Sequence, residues 1–279
     1  MPYRDQEIEY LGWYRNNILG IEEPGTYNYR GNILNKEHIL PTGANKKRLN
    51  ILEPYRNAFY NSPASNISFH RYFHHLNSSQ ALCINLFFPI MYEACSNVLL
   101  DCFRVPELVG EYAFEKESPL EITEGNRRKT NFDLYIQTQQ QKEFFFEIKY
   151  TEEGFGKVEA DETHVAKYEF TYEQLLEDSQ YIQPEFKNME SFLNYYQILR
   201  NLIHTGPNST VIFLYPENNN RVNSQALFAY ENILTELGRG AFHIIYLEDV
   251  VPCIQSKITN PLLIEHYNQF VAKYIHDAV

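Results

Sequence analysis

Between residues 131 and 150 the chain alternates apolar and polar side chains twice in close succession. In Asn131-Phe-Asp-Leu-Tyr-Ile136, Phe132, Leu134 and Ile136 alternate with Asn131, Asp133 and Tyr135. In Glu143-Phe-Phe-Phe-Glu-Ile-Lys-Tyr150, Phe144, Phe146, Ile148 and Tyr150 alternate with Phe145, Glu147 and Lys149. A period of two predicts strands, each with one apolar face and one face carrying the charges. The polar stretch Gln137 to Lys142 is short enough for a hairpin, and a turn centred near Gln140 sets Asp133 directly opposite Glu147.

The same reading extends along the chain. A helix is predicted over residues 5–19, an irregular Gly/Pro/Asn-rich stretch over 20–45 and a short helix over 50–60. Ser78 and Ser79 can cap a helix from Gln80 to Phe88, and Pro89 is expected to start a new one through Phe103. Glu111 to Glu115 reads as a first strand, and the acidic segment 152–178 as a loop with a helix. An amphipathic helix follows from Met189 to His204, then a strand over Thr210 to Tyr215 and a helix over Ser224 to Leu237. A strand over Ala241 to Leu247 and a closing helix over Pro261 to His276 complete the order. Helix, three strands, helix, strand predicts an α/β fold, a central mixed β-sheet flanked by helices on both faces. Residues 1–75 are expected to form a helical and irregular N-terminal extension packed on a core of residues 76–279.

Composition narrows the class. With 279 residues, 44% hydrophobic and 15% aromatic, the chain can fill a sizeable core. Its longest apolar stretch, Ala81 to Tyr92, is broken by Asn85 and Pro89 and is far short of a membrane span. Residues 1–20 carry Asp5, Glu7 and Glu9 without an apolar signal core, so the expectation is a cytoplasmic protein without a membrane partner. Cys83, Cys95, Cys102 and Cys253 lack zinc-ribbon spacing and are expected as reduced core thiols. A net charge of −12 opposes indiscriminate binding to a polyanion and leaves only local positive clusters for that purpose. Arg127, Arg128 and Lys129, just ahead of the Asp133 strand, are expected to contact phosphate. Lys46 to Arg48 fit a solvated loop equally well.

The hairpin carries the candidate chemistry. Like charges at facing positions of two strands are destabilising, so Asp133 and Glu147 ask for a cation between them. Hard oxygen ligands of this kind suit magnesium. Lys149 lies two residues beyond Glu147, hence on the same face, where an ammonium can touch a scissile phosphate or orient an attacking water. Glu-x-Lys alone reads as an ordinary surface salt bridge; the Asp at the matching cross-strand position shifts the reading to a metal site. His70 and His74 stand four apart, but no Glu completes a zinc motif and the segment reads as aromatic-rich packing.

Asp133 followed by Glu147-Ile148-Lys149 resembles the signature of the PD-(D/E)xK nuclease superfamily, the restriction-endonuclease-like fold, with Phe132 where the motif has Pro. Gln197, followed by Arg200 on the predicted helix after the strand, matches a second family element. The runs from His75 to Pro89 and from Phe146 to Glu152 are similar to a group of bacterial restriction endonucleases, over roughly residues 5 to 250. The resemblance implies magnesium, with manganese able to substitute, held by Asp133, Glu147 and the backbone carbonyl of Ile148. It implies a third acid, for which Glu115 and Glu93 are the candidates, and catalytic roles for Lys149 and Gln197. The implied activity is metal-dependent hydrolysis of DNA in restriction or phage defence, by a homodimer or a subunit of a defence complex. A non-catalytic scaffold on the same fold and a nuclease acting on RNA are the alternatives.

Overall fold

The computed structural model describes residues 1–43, 47–105, 108–122 and 129–276. The chain opens with α1 (Tyr3–Asn17), a hairpin of β1 (Gly25–Tyr29) and β2 (Asn32–Lys36), and α2 (Glu53–Tyr60). Then come α3 (Ser79–Tyr92), α4 (Ser96–Phe103), β3 (Val109–Glu117), β4 (Asn131–Thr138) and β5 (Glu143–Ile148). A helical excursion follows through α5 (Glu162–Lys167), α6 (Glu173–Asp178), α7 (Met189–Asn194) and α8 (Tyr196–Leu202). The last third is β6 (Ser209–Tyr215), α9 (Asn220–Phe228), α10 (Glu236–Gly240), β7 (Phe242–Tyr246), α11 (Leu247–Lys257) and α12 (Pro261–Tyr274).

The central sheet is mixed, in the order β3-β4-β5-β6-β7. The first three strands form the antiparallel meander, and β6 and β7 join parallel to β5. Leu134 faces Phe146 and Ile136 faces Phe144, the register in which Asp133 and Glu147 come opposite one step further on. A parallel neighbour needs a crossover, and residues 149–208 supply it.

Helices cover both faces. On one, Leu134, Ile136, Phe144, Phe146 and Ile148 pack with residues of α1 to α4, α11 and α12. On the other, Phe132, Tyr135, Phe145 and Phe213 pack with Tyr172, Phe192, Leu199 and Leu202. The charged face of the hairpin is thus roofed rather than solvated, because helices pack on both faces of the sheet. Phe132 packs with Tyr135 rather than with Leu134, so the expected alternation slips at Asp133. The slip is level with Glu115 on β3, whose φ of 54° lies in the left-handed region, a strained conformation for a residue with a side chain.

Several predicted elements are corrected. Pro89 does not start a helix; α3 runs through it. Pro89 has no N–H for the Asn85 carbonyl, and His266 Nε2 donates to that oxygen instead at 2.7 Å, while Tyr267 Oη donates to the Leu86 carbonyl at 2.6 Å. The helix predicted over Met189 to His204 breaks at Tyr195, whose ring stacks on Phe228. Within the stretch read as irregular, β1 and β2 turn at Arg30 and Gly31, both with positive φ, as a two-residue hairpin turn requires. Cys102 and Cys253 form a disulfide and are not free thiols: α4 and α11 pack together, with the two Cα atoms 5.7 Å apart. Cys83 and Cys95 are free. Among the described residues no helix is long and apolar enough to cross a membrane.

Candidate active site

The ends of β4 and β5 carry the candidate residues into the space beneath α8. Glu147 and Lys149 are buried, at 4% and 7% exposure, so their charges act on each other in a medium that screens weakly. Lys149 Nζ donates to Glu147 Oε1 at 2.7 Å and to Gln197 Oε1 at 3.1 Å. Gln197 Nε2 donates to the same Glu147 Oε1 at 2.7 Å, and Asn201 Nδ2 to Oε2 at 3.1 Å. Gln197 and Asn201 are one helical turn apart, so a single face of α8 grips the carboxylate.

Asp133 is partly buried, and its Oδ2 accepts from the Ile148 N–H at 2.7 Å, which ties β4 to β5 where the ladder ends. Burial, then the charges of Glu147 and Glu115, push its carboxyl well above the usual carboxylate range, against the opposing pull of Lys149 and the Ile148 N–H. Burial likewise raises Glu115, whose oxygens accept from Gln80 Nε2 at 2.7 Å and from Asn131 Nδ2. For Lys149 burial acts downward, but Glu147, Glu152 and Asp133 outweigh it and the ammonium lies above its ordinary value. The Cys83 thiol, donating to the Asp133 carbonyl, is raised by burial and by all three carboxylates.

Beside Glu147 opens a cleft of about 330 Å³, lined by Lys129, Asn131, Lys167, Tyr196, Gln197 and Arg200, with Thr130 and Asn201. The structure therefore gathers Asp133, Glu147, Ile148, Lys149 and Gln197, sets Glu115 on their β3 side and Lys129 at the cleft. Glu93 is not among them. It closes the far end of α3, some 13 residues and thus about 20 Å of helix from Gln80. There it accepts from Tyr55 Oη and Asn260 Nδ2, so the third-acid expectation falls to Glu115 alone. Arg127 and Arg128 lie outside the described residues.

Sequence reasoning passed over Asn201, Lys167 and the cleft position of Arg200. Spacings of three and four from Gln197 could have pointed to Arg200 and Asn201; nothing local marks Lys167. Among the described residues no three His, Cys, Asp or Glu side chains close into a metal-ligand cluster by themselves. In this arrangement the Lys149 ammonium sits on Glu147, while the Asp133 carboxyl bears burial and repulsion that Lys149 and the Ile148 N–H offset only in part, the state that a hard divalent cation would relieve.

A family model described as Restriction Endonuclease associating with ARP matches residues 8–275. No curated protein and no solved structure matches the chain.

Proposed function

This chain belongs to the family of restriction endonucleases associating with ARP, and from that premise we propose that it is a metal-dependent endonuclease hydrolysing phosphodiester bonds of DNA. The observation that carries the reading is the convergence of Asp133, Glu147 and Lys149 from two adjacent strands beneath α8. Magnesium, or manganese in its place, would be held by Asp133, Glu147 and the Ile148 carbonyl, with Glu115 the nearest further acid. When bound, the ion supplies Lewis acidity at the scissile phosphate. Glu147, Glu152 and Asp133 together raise the Lys149 ammonium above its ordinary value. As a donor it would orient the attacking water and offset developing charge. Gln197 fixes both Glu147 and Lys149 through its two amide atoms. The family description names an association with ARP, and we take this protein to act with that partner in restriction or defence.

Purified protein incubated with plasmid DNA, single-stranded DNA and RNA is expected to cut DNA in magnesium and to stop in EDTA. Asp133→Ala, Glu147→Ala and Lys149→Ala should each abolish cutting with the fold intact, and the Asp133→Ala/Glu147→Ala double variant should be scarcely worse than either single one. Full cleavage by a folded Glu147→Ala protein would remove this site from consideration.

A further inference from the structure

The geometry points to a second phosphate subsite in the cleft beside Glu147, where Lys129, Lys167 and Arg200 hold a non-scissile phosphate of the nucleic-acid strand without reading its base. The inference rests on the nuclease reading for its ligand and goes beyond it in assigning residues to the neighbouring phosphate.

Charge is the first ground. Lys129, Lys167 and Arg200 line one cleft together with Glu147, and Lys149 is joined to its Gln197 wall. Among the described residues, the cleft lining sets Lys129, Lys167 and Arg200 against Glu147, which Lys149 already pairs, while the buried Glu121 near Arg200 directs both oxygens to the Thr130 N–H at 3.0 and 2.9 Å. In a chain of net charge −12 this local positive excess is suited to an anion.

Rigidity is the second ground. Arg200 is held by Nε donating to Tyr172 Oη at 2.8 Å and by its guanidinium lying over the Tyr196 ring at 4.9 Å. Lys167 is 6% exposed, and its ammonium lies over the same Tyr196 ring and over Tyr172, at 5.8 Å each. Cations locked on aromatic supports lose little freedom on binding. Because Tyr196 already carries both of them, it is not a bare platform for stacking a base. At about 330 Å³ the cleft is also at the small end of ligand cavities. Contacts of this kind position a strand without carrying sequence information.

The test is binding of short duplexes of unrelated sequence in EDTA, where nothing is cut, across a range of salt. Lys129→Gln, Lys167→Gln and Arg200→Gln should each reduce the log–log salt slope by about 1 and weaken all duplexes by a similar factor. Lys36→Gln, on the β1–β2 hairpin and outside the cleft lining, should leave the slope unchanged. Arg200→Lys keeps the charge but loses the guanidinium bond to Tyr172, and it should retain most of the slope. A merely structural arginine would lose binding and melting temperature together in both variants. Unchanged slopes in Lys129→Gln and Arg200→Gln, or losses confined to one sequence, would overturn the subsite. Binding with the expected slopes but no cutting in magnesium would leave the subsite standing and remove the nuclease reading; cutting with unchanged slopes would do the reverse.

Discussion

At Glu147 three side-chain donors converge on one buried carboxylate: Lys149, Gln197 and Asn201. Groups that orient a metal ligand in this way typically account for 10–100-fold in metal affinity or activity, so Gln197→Ala and Asn201→Ala should each lose about that much cleavage. Magnesium titrations on folded variants would check it, and wild-type rates in both would sink the assignment. Asp133 is set against its neighbours in the opposite sense. A carboxyl raised in the folded state makes the unliganded protein gain stability as pH falls through that raised value toward the ordinary carboxylate range. Asp133→Asn should therefore be equally or more stable than wild type in EDTA at neutral pH, with an advantage that shrinks on acidification. Magnesium at about 100 times its dissociation constant should stabilise wild type by about 2.7 kcal/mol and the Asn variant much less. Paired thermal melts decide the matter; an Asn variant clearly less stable in EDTA would make Asp133 a structural partner. These residues were legible beforehand because a hairpin converts sequence position into a facing pair. Lys167 was not, since a cleft assembled from separate short helices leaves no spacing to read.

Among the elements, α3 shows how a rule that punctuates a sequence can be overridden by a partner far along the chain. Pro89 would normally end or kink the helix, but His266 on α12 supplies the donor that the proline lacks. Replacing His266 by Phe keeps bulk and orphans the Asn85 carbonyl, which should cost about 1–3 kcal/mol in denaturant melts. No loss at all would mean that the helix tolerates the proline unaided. Strands β4, β5 and β6 were readable because each combines an apolar core with a buried position in the sheet. The β1–β2 hairpin was not: most of its residues are exposed, so no alternation marks it. Helix α11 was also missed, its pattern crossed by Pro252 and by Glu248 and Asp249 in its first turn. The disulfide between α4 and α11 was beyond reach, because 151 residues separate its cysteines.

For the whole molecule, burial holds His204 and His266 neutral, each with its pKa pulled down to about 4. The sign is opposite to that of Asp133: between pH 6.5 and about 4 the unfolded chain binds protons that the folded one refuses, so stability falls as pH falls. The loss is about 1.4 kcal/mol per pH unit for each of the two. Acid unfolding followed by circular dichroism should show this limb, and His266→Phe should flatten it by one proton; a flat profile from pH 7 to 4 would contradict it. The contact of α1 with Tyr150 and with the segment just after α12 has a different consequence, in the order of assembly. Glu7 accepts from Tyr150 Oη at 2.7 Å, next in sequence to Lys149, and pairs with His276 across 269 positions of chain. Contacts that distant are slow to close, whereas the β4–β5 hairpin closes locally and early. On that ground Asp133 is expected to come against Glu147 before the region around Tyr150 closes, which sets two facing carboxylates on an unfinished sheet.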